Sequence, residues 1–489
     1  MSLRPPGLSK SRIISHQQCP KRLWLQVNKK EEAEKNQNAA QMMATGTYVG
    51  EIAHRMFPNG VVVDPSNIPA ALEDTKQLLA EKLPIFEAAL QFDGVLVFVD
   101  ILVPEADGFH LIEVKSSTRV KEYHIADTAI QTWVAQQSGI HITRSSVACI
   151  DNTFVYSGGG DYEGLFYLTD LTEDIAPLTG EVSCWLTVAR TTLQGDEPEI
   201  SIGEQCSKPF SCPFVSYCSP PYEEQPKYPV SDLPNARKLT AELLDQGYDD
   251  LSIVPRELLV SDIHKRIHQA VVSGKTYVSN EVADAVSVIK YPRYYLDFET
   301  IQHAVPIWIG TKPYQQVPFQ WSCHIEFAPG ELTHREFLAT GHDDPRYEFS
   351  RNLLSALGKN GAIVAYNAGF EKKVLRDLAG YLPEFAAELL IAEEMTVDLL
   401  PITRAHYYHP AMHGSWSIKY VLPTIAPELA YDEMDVADGI MAQKAFKELM
   451  ENVLSDQEIE DKRQALLRYC QQDTYAMVKI VHYFQSKTD

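Results

Sequence analysis

The most constraining feature of this chain is an apolar stretch, residues 294–300, that contains two acidic residues, Asp297 and Glu299. Alternate side chains of a β-strand point to the same face, so these carboxylates lie side by side while Leu296 and Phe298 face the opposite way. Two neighbouring carboxylates repel each other unless cations lie between them. The stretch therefore predicts a strand that carries half of a divalent-metal site.

A second acidic element follows much later, in the segment 469–473, which reads as part of a helix. Tyr469 and Asp473 are four residues apart, so their side chains share one face of that helix. The helix therefore adds a phenol and a third carboxylate to the same predicted site.

The fourth acid is expected between these two elements. Residues 363–367 read as a buried strand ending in a turn at Ala368–Gly369, after which a helix begins. Glu371, in the first turn of that helix, is the predicted fourth ligand, and Asp398 is the alternative.

In this order the three motifs resemble those of the DnaQ-like DEDD exonucleases, over residues 291–489. The subtype is DEDDy, because a tyrosine precedes the last acid by four residues. The resemblance implies an RNase H-like mixed sheet with helices and hydrolysis of a phosphodiester from a 3′ end.

It also implies two Mg²⁺ or Mn²⁺ ions about 3.5–4 Å apart, with Tyr469 orienting the attacking water and Asn367 contacting substrate. The family usually has aspartate at the position of Glu371. The implied metal ligands are Asp297, Glu299, Glu371 and Asp473.

The first half of the chain contains an independent acidic element. Residues 95–103 form a nine-residue apolar stretch whose one ionisable residue is Asp100, and a turn separates it from Glu113 and Lys115. A hairpin places Asp100 opposite either Ile112 or Glu113, depending on the register. Only the second register, or a bulge, brings both acids to one face, where Lys115 joins them.

These residues resemble the PD-(D/E)xK nucleases, and specifically the RecB-like branch, over roughly residues 10–222. The resemblance implies a restriction-endonuclease-like α/β core in which His54, Asp100 and Glu113 bind Mg²⁺ or Mn²⁺. Lys115 then polarises the water or the scissile phosphate, and Gln131 contacts substrate. Alanine occupies position 135, where the family often has tyrosine.

Eight cysteines and no recognisable signal peptide or long apolar run favour reduced thiols in a cytoplasmic protein without membrane association. Four of these thiols suit either an iron–sulfur cluster or zinc. One cysteine near the start and three near the end of the segment resemble the iron–sulfur RecB-like nucleases, including the CRISPR-associated exonucleases and the AddB nuclease domain. This resemblance favours a [4Fe-4S] cluster over zinc. The four ligands are Cys19, Cys206, Cys212 and Cys218; the other cysteines, Cys149, Cys184, Cys323 and Cys470, are predicted to be small buried hydrophobes.

The chain is therefore predicted to be an α/β protein of two nuclease domains. Residues 1–222 form the RecB-like domain with its cysteine cluster, residues 223–290 a linker and small helical connector, and residues 291–489 the DEDDy exonuclease domain. This order resembles bacterial proteins that fuse an iron–sulfur RecB-like domain to an uncharacterised DEDD domain.

The formal charge of −23 gives no overall attraction to nucleic acid, so binding must depend on local patches, metal ions and stacking. One basic patch is visible in residues 1–30, which contain seven Lys or Arg and no acid. The predicted function is a metal-dependent nuclease that acts on DNA, in single strands or at ends. The alternatives are an RNA-processing exonuclease and a nucleic-acid-binding scaffold with one active site.

Overall fold

The computed structural model describes residues 8–34, 39–219, 225–429, 436, 438–451 and 454–487. The chain divides into two compact units. Unit 1 comprises Met1–Pro220 and His303–Tyr314, and unit 2 comprises Pro221–Gln302 and Gln315–Asp489. Both combine β-sheet with helices, so the predicted α/β class is confirmed. Within the described part of the chain, every helix is too short or too polar to span a lipid bilayer.

The described residues of unit 1 form seven strands and seven α-helices. Its elements are β1 (Leu8–Ser9), α1 (Lys10–Gln18), α2 (Pro20–Asn28), α3 (Ala39–Ala53), β2 (Val61–Val62), α4 (Ile68–Glu81), β3 (Ile85–Phe92), β4 (Val95–Glu105), β5 (Gly108–Lys115), α5 (Glu122–Gln137), β6 (Ile142–Ile150), β7 (Phe166–Asp170), α6 (Thr172–Gln194) and α7 (Val215–Cys218).

The sheet of unit 1 has the order β2-β3-β4-β5-β6-β7, with β1 beside β4. Strands β3, β4 and β5 form an antiparallel meander, whereas β5 and β6 are parallel and are connected by α5. Alternate residues of β4, such as Val97 and Val99, pack in one core with Ile130 and Val134 of α5. Asp100, the residue after Val99, points to the other face of the strand and is not part of that core.

Unit 2 contains a larger number of helices. Its elements are α8 (Arg237–Asp245), α9 (Asp262–Ser273), β8 (Tyr277–Val278), α10 (Val282–Ser287), β9 (Arg293–Ile301), β10 (Val317–Glu326), β11 (Leu332–Leu338), α11 (Arg346–Ala356), β12 (Ala362–Ala365), α12 (Gly369–Tyr381), α13 (Ala386–Met395), β13 (Thr396–Asp398), α14 (Leu399–His406), β14 (Tyr407–Tyr408), α15 (Ile418–Ile425), α16 (Gly439–Met450) and α17 (Asp456–Gln485).

The main sheet of unit 2 has the order β11-β10-β9-β12-β13. Strand β9 lies at its centre, antiparallel to β10 and parallel to β12. This central position explains the apolar character of the stretch around Asp297, because both edges and most side chains of β9 are covered. Helix α17, 30 residues long, packs against β9 and β10.

The structure differs from the sequence prediction in the segment 223–290. Its described residues do not form a separate module, because β8 pairs with β14 in a two-stranded sheet of unit 2. Val230, Leu251 and Val282 lie in the same hydrophobic core as Tyr295 of β9. The apolar faces that predicted helices here are therefore buried against unit 2, and α8 and α9 are the helices expected in this segment.

Candidate functional site

Three carboxylates meet in unit 2 at the junction of β9 and α17. Asp297 and Glu299 lie on β9, Asp473 lies on α17, and one ligand oxygen of each lies within 4.8 Å of the others. Glu299 and Asp473 are each 8% exposed. The strand and the helix motif thus come together at one acidic centre.

Polar contacts fix α17 on the sheet and so determine where Asp473 lies. The Thr474 hydroxyl is 2.8 Å from the Ser322 hydroxyl and 2.8 Å from Nδ1 of His324, both on β10. About two turns earlier on α17, the side-chain amide of Gln320 donates to the carbonyl oxygen of Leu466 at 2.7 Å. These buried contacts are specific in geometry and tie the helix to a single register.

Glu371 faces the same centre from the first turn of α12. It is 4% exposed, and its Oε2 atom is buried without a hydrogen-bond partner among the described residues. It is not part of the group within 4.8 Å, although its charge acts on Asp297. The alternative, Asp398, is engaged elsewhere: its Oδ1 accepts from the N–H groups of Asn367 and Leu400 and caps α14. The structure therefore favours Glu371 as the fourth acid.

Burial and mutual repulsion raise the pKa values of these acids. For Asp297, desolvation is the main cause, followed by the charges of Asp473 and Glu299, and its pKa lies well above the ordinary value. Burial also raises the pKa of Glu299 and of Glu371 to about 8. Four carboxylates whose charges repel one another, one with a buried unpartnered oxygen, form a donor set that fits divalent cations.

The raised pKa values predict that unit 2 loses stability with rising pH when cations are removed. Glu299 and Glu371 shift from an ordinary 4.5 to about 8, so their contribution to folding is full below pH 4.5 and is lost as the pH rises through about 8. We expect the unfolding temperature in EDTA to fall between these values, on the order of 5–10 °C. Differential scanning calorimetry measures this, and excess Mg²⁺ should remove the decline; a flat profile in EDTA would contradict the expectation.

Tyr469 projects into the acidic centre from α17. It is 4% exposed, and burial together with the charges of Asp473 and Glu299 raises the pKa of its hydroxyl, so the phenol stays protonated. Lys419, at the start of α15, lies 5.4 Å from the centre of the Tyr469 ring, and its charge acts on Glu299. Sequence reasoning did not assign Lys419 to this site, because only folding brings α15 to α17.

Asp100, Glu113 and Lys115 meet in unit 1. The ladder of β4 and β5 ends at the pair of Ile101 and Ile112, and its register is the one that places Asp100 across from Glu113. The Oδ2 atom of Asp100 accepts from the N–H of Val114 at 2.6 Å. Lys115 is in contact with Oε1 of Glu113.

Two further residues, Lys10 and Asp127, complete an ion network that the sequence did not reveal. The Lys10 ammonium lies 3.0 Å from Oε1 of Glu113 and 3.2 Å from Oδ1 of Asp127, and Lys115 lies 2.6 Å from Oδ2 of Asp127. One signal was available for Asp127: it precedes Gln131 by four residues on α5, so both polar groups share a face of a buried helix. No sequence pattern near Lys10 indicates its role, because Lys10 contacts Glu113 only after folding brings the two distant segments together.

The charges of this network act in opposite directions on the two acids. Burial disfavours the ionised form of Glu113, but Lys10 and Lys115 outweigh it and hold its pKa well below the ordinary value. Burial and the charge of Glu113 raise the pKa of Asp100 well above the ordinary value. Removing a lysine therefore alters how strongly this centre attracts cations.

Replacing Lys10 by methionine is expected to tighten Mn²⁺ binding to unit 1 about tenfold, because the ammonium beside Glu113 opposes a second cation there. Isothermal titration calorimetry checks this in an Asp297→Asn, Asp473→Asn background, which weakens the centre of unit 2. Lys30→Met is the matched control, since Lys30 is exposed. Equal affinities of both variants for Mn²⁺ would refute the expectation.

His54 lies on the same cleft of unit 1, directly after α3. The cleft, of about 640 Å³, is lined by His54, Asp100, Glu113 and Lys115. The imidazole stacks on Phe86 with ring centres 4.1 Å apart, and its Nε2 atom is buried without a partner among the described residues. Burial lowers the pKa of His54 and keeps it neutral, as a metal ligand must be.

Glu87 adds a carboxylate to this cleft that sequence reasoning missed. The pairing of β3 with β4 skips Glu87, which has a φ of +55°, between Phe86 and Ala88. The pairs on either side keep the same register, so Glu87 lies level with Asp100 of β4.

Gln131 and Asn367, the two predicted substrate contacts, occupy different environments. Gln131 is fully buried and its amide donates to Oε2 of Glu113, so in this geometry it positions a carboxylate rather than meeting substrate directly. Asn367 is exposed at the turn before α12, with a φ of +69°. Its side chain lines an open cleft of unit 2.

The four predicted cluster cysteines line one small pocket of unit 1, together with Lys21 and Arg22. Cys19 is the residue between α1 and α2, and the N–H of Cys212 donates to the carbonyl oxygen of Cys206 at 2.8 Å. The cysteine sulfurs do not form a group within 4.8 Å of one another among the described residues. Of the other cysteines, Cys184 is exposed on α6, which corrects the prediction that it is buried.

Cys470 is buried beside the acidic centre of unit 2. Its thiol donates to Oδ2 of Asp297 at 3.3 Å, and burial raises its pKa well above the ordinary value. It is therefore a neutral donor that orients Asp297, not a nucleophile.

Comparison with known proteins adds a family match and three relatives. A family described as a domain of unknown function (DUF2779) matches residues 294–417, a segment that contains Asp297, Glu299 and Glu371 and ends just before α15. Uncharacterized protein UU173 of Ureaplasma parvum is 26% identical over 230 residues, which cover 42% of this chain and 33% of that protein. Uncharacterized protein MG366 of Mycoplasma genitalium is 23% identical over 230 residues (42% and 34%), and its homolog in Mycoplasma pneumoniae is 25% identical over 222 residues (42% and 33%). The chain thus spans about a third of the length of these curated relatives.

Proposed function

We propose that the chain is a metal-dependent nuclease that hydrolyses phosphodiester bonds in DNA, in single strands or at ends, with one active site in each unit. The observation that supports this most strongly is the approach of Asp297, Glu299 and Asp473 within 4.8 Å, with Glu371 beside them. Buried acids at this spacing are unstable without divalent cations, and such carboxylate sets are used in two-metal phosphodiester hydrolysis.

In unit 2, which we propose has the RNase H-like fold of a DEDDy 3′–5′ exonuclease, Asp297, Glu299, Glu371 and Asp473 would hold Mg²⁺ or Mn²⁺. When bound, these ions supply positive charge against the phosphate and lower the pKa of water. The protonated Tyr469 hydroxyl orients the attacking water. The Lys419 ammonium, at the edge of the same centre, attracts the scissile phosphate.

In unit 1, which we propose has the restriction-endonuclease-like fold, His54, Asp100 and Glu113 would hold a divalent cation. The unpartnered Nε2 of His54 and the position of all three on one cleft fit this role. Lys115 directs its charge to the phosphate or the attacking water. Asp127 anchors the Lys115 ammonium at 2.6 Å, so the group is held in place before substrate arrives.

The pocket of Cys19, Cys206, Cys212 and Cys218 would hold a [4Fe-4S] cluster. A zinc ion binds four sulfurs at about 2.3 Å each, which places the sulfurs roughly 3.8 Å apart. One cysteine near the start of unit 1 and three near its end resemble the iron–sulfur RecB-like nucleases, and this resemblance favours the cluster over zinc. Lys21 and Arg22 on the rim balance the negative charge of thiolates. Such a cluster closes the long loop between α1 and α7 and stabilises unit 1.

Replacing Cys218 by serine is expected to remove most of the iron and the visible absorbance of anaerobically purified protein and to lower the unfolding temperature of unit 1. The wild type should contain about four iron atoms per chain. Metal analysis, visible absorbance and calorimetry measure these effects. Cys184→Ser is the matched control, because Cys184 is exposed and remote from the pocket; zinc in place of iron in the wild type would contradict the cluster.

The activity is tested with anaerobically purified protein, Mn²⁺ or Mg²⁺, and single-stranded DNA carrying separate 5′ and 3′ labels. We expect stepwise release of nucleotides from the 3′ end and a second product pattern from unit 1, both abolished by EDTA. A matched RNA substrate distinguishes DNA cleavage from RNA processing. Absence of cleavage of DNA with either ion would overturn the proposal, and cleavage confined to RNA would replace it with the RNA-processing alternative.

A further inference from the structure

A cleft of about 580 Å³ in unit 2 has no role in the chemistry described above. Its walls come from residues 231–234, from residues 366–367 with 400–404, and from the loop 413–418. Hydroxyl, amide, imidazole and guanidinium groups line it, together with the carboxylate of Asp232. Its volume lies in the range of about 300–1,000 Å³ that is typical of small-ligand sites.

Two walls of this cleft continue into the acidic centre. Asn367 lines the cleft, and four residues later, one turn into α12, Glu371 faces the acids. Ile418 lines the cleft, and the next residue, Lys419, lies over Tyr469. A ligand in the cleft therefore contacts residues that directly neighbour the acidic centre in the chain: Ile418 precedes Lys419, and Asn367 lies about one turn before Glu371.

Arg404 supplies the positive charge of the cleft. It is exposed, its guanidinium lies 5.7 Å from the centre of the Trp416 ring, and no carboxylate among the described residues pairs with it. Trp416 is itself fixed, because its indole N–H donates to the carbonyl oxygen of Tyr407 at 2.8 Å and its own carbonyl oxygen accepts from Tyr366 at 2.6 Å. An arginine supported in this way is pre-organised for phosphate.

The opposite wall is built by close packing of the loop 413–418 on the segment 230–234. Nδ1 of His413 lies 3.0 Å from Oδ2 of Asp232. Gly414 has a φ of +73°, and a Cβ atom there would be 1.7 Å from the carbonyl oxygen of Asp232, so only glycine fits. The segment predicted as a separate connector thus forms part of the cleft.

We propose that this cleft is a nucleotide subsite that holds one unpaired nucleotide of a single-stranded substrate next to the bond that is cut. Arg404 contacts its phosphate, Asn367 contacts its sugar or base, and the wall of residues 231–234 limits the cleft to one strand. This inference rests on the proposed nuclease activity of unit 2. The subsite explains how a chain with a formal charge of −23 binds a polyanion, because a single positioned arginine contacts the phosphate and no overall positive charge is needed.

The test is binding of AMP and dAMP to the full-length protein in EDTA, measured by isothermal titration calorimetry. EDTA removes the cations that would bind a phosphate at the acids of unit 2, so binding reports the cleft. We expect Arg404→Met to weaken binding about 10- to 100-fold and Arg404→Lys to have a smaller effect. Arg351→Met is the matched control, because Arg351 is exposed on α11 and pairs with Glu348; its affinity should equal that of the wild type.

The outcomes separate the cleft from the proposed activity. Ribose 5-phosphate and inorganic phosphate should bind more weakly than the nucleotides; equal binding would overturn the nucleotide assignment. Unchanged affinity in Arg404→Met, or no nucleotide binding by the wild type, would overturn the subsite even if the protein cleaves DNA. Nucleotide binding that depends on Arg404 in a protein that never cleaves would support the cleft and refute the activity. With Mn²⁺, Arg404→Met should raise KM for short oligonucleotides while kcat changes little.

Discussion

Replacing Asp473 by asparagine should lower the release of 3′-terminal nucleotides by about 1,000-fold or more, while cleavage by unit 1 persists. Asparagine has nearly the same shape but no charge, and Asp473 is one of the three acids within 4.8 Å. The change removes one of the charges that define the cation site of unit 2. It leaves Thr474 and Gln320, which anchor α17, in place.

The same substitution should not destabilise the cation-free protein. The charge of Asp473 raises the pKa values of Asp297 and Glu299, so its removal relieves repulsion in a buried centre. We therefore expect an unfolding temperature in EDTA at or above that of the wild type, measured at a pH near 8 where repulsion is strongest. Loss of activity with retained stability identifies a functional residue rather than a packing residue.

DNA with separate 5′ and 3′ labels provides the readout for Asp473→Asn. Glu460→Gln is the matched control, because Glu460 lies on the same helix and is exposed. It should release 3′ nucleotides at the wild-type rate. Retention of a tenth or more of that rate in Asp473→Asn would show that the acidic centre of unit 2 is not where cleavage occurs.

The parts of these sites that the sequence predicts are those governed by local geometry. The alternation of β9 placed Asp297 beside Glu299, and the helical period placed Tyr469 above Asp473. Both relations depend on residues two or four positions apart. They hold in the structure because each pair lies within one regular element.

The parts that sequence did not predict depend on contacts between distant segments. Lys10 reaches Glu113 across 103 positions of the chain, and Lys419 reaches Tyr469 from another helix. Glu87 lies level with Asp100 only through the pairing of β3 with β4. The connector was predicted as a separate helical module from its linker composition, its helical segments and a resemblance to fusion proteins, although its apolar faces pack on unit 2. Contacts of this kind can be identified only from the folded structure, because no spacing between residues in the sequence indicates them.

Replacing Lys115 by methionine should abolish cleavage by unit 1 and leave the release of 3′ nucleotides by unit 2 intact. Methionine keeps the aliphatic stem but not the ammonium, which contacts Glu113 and lies 2.6 Å from Oδ2 of Asp127. Loss of one directed charge at a reacting phosphate costs about 100- to 1,000-fold in rate. We expect a loss in this range in the product pattern assigned to unit 1.

Stability must be measured beside activity for Lys115, because its removal leaves Lys10 as the one cation that pairs with both Glu113 and Asp127 among the described residues. A buried pair that loses one partner is destabilised by about 3–5 kcal/mol. The double variant Lys115→Met, Asp127→Asn removes one charge of each sign, so it should recover much of the unfolding temperature. It should remain inactive in unit 1, since the ammonium is still missing. Recovery of cleavage together with stability would mean that Lys115 serves the fold alone, and would remove it from the proposed active site.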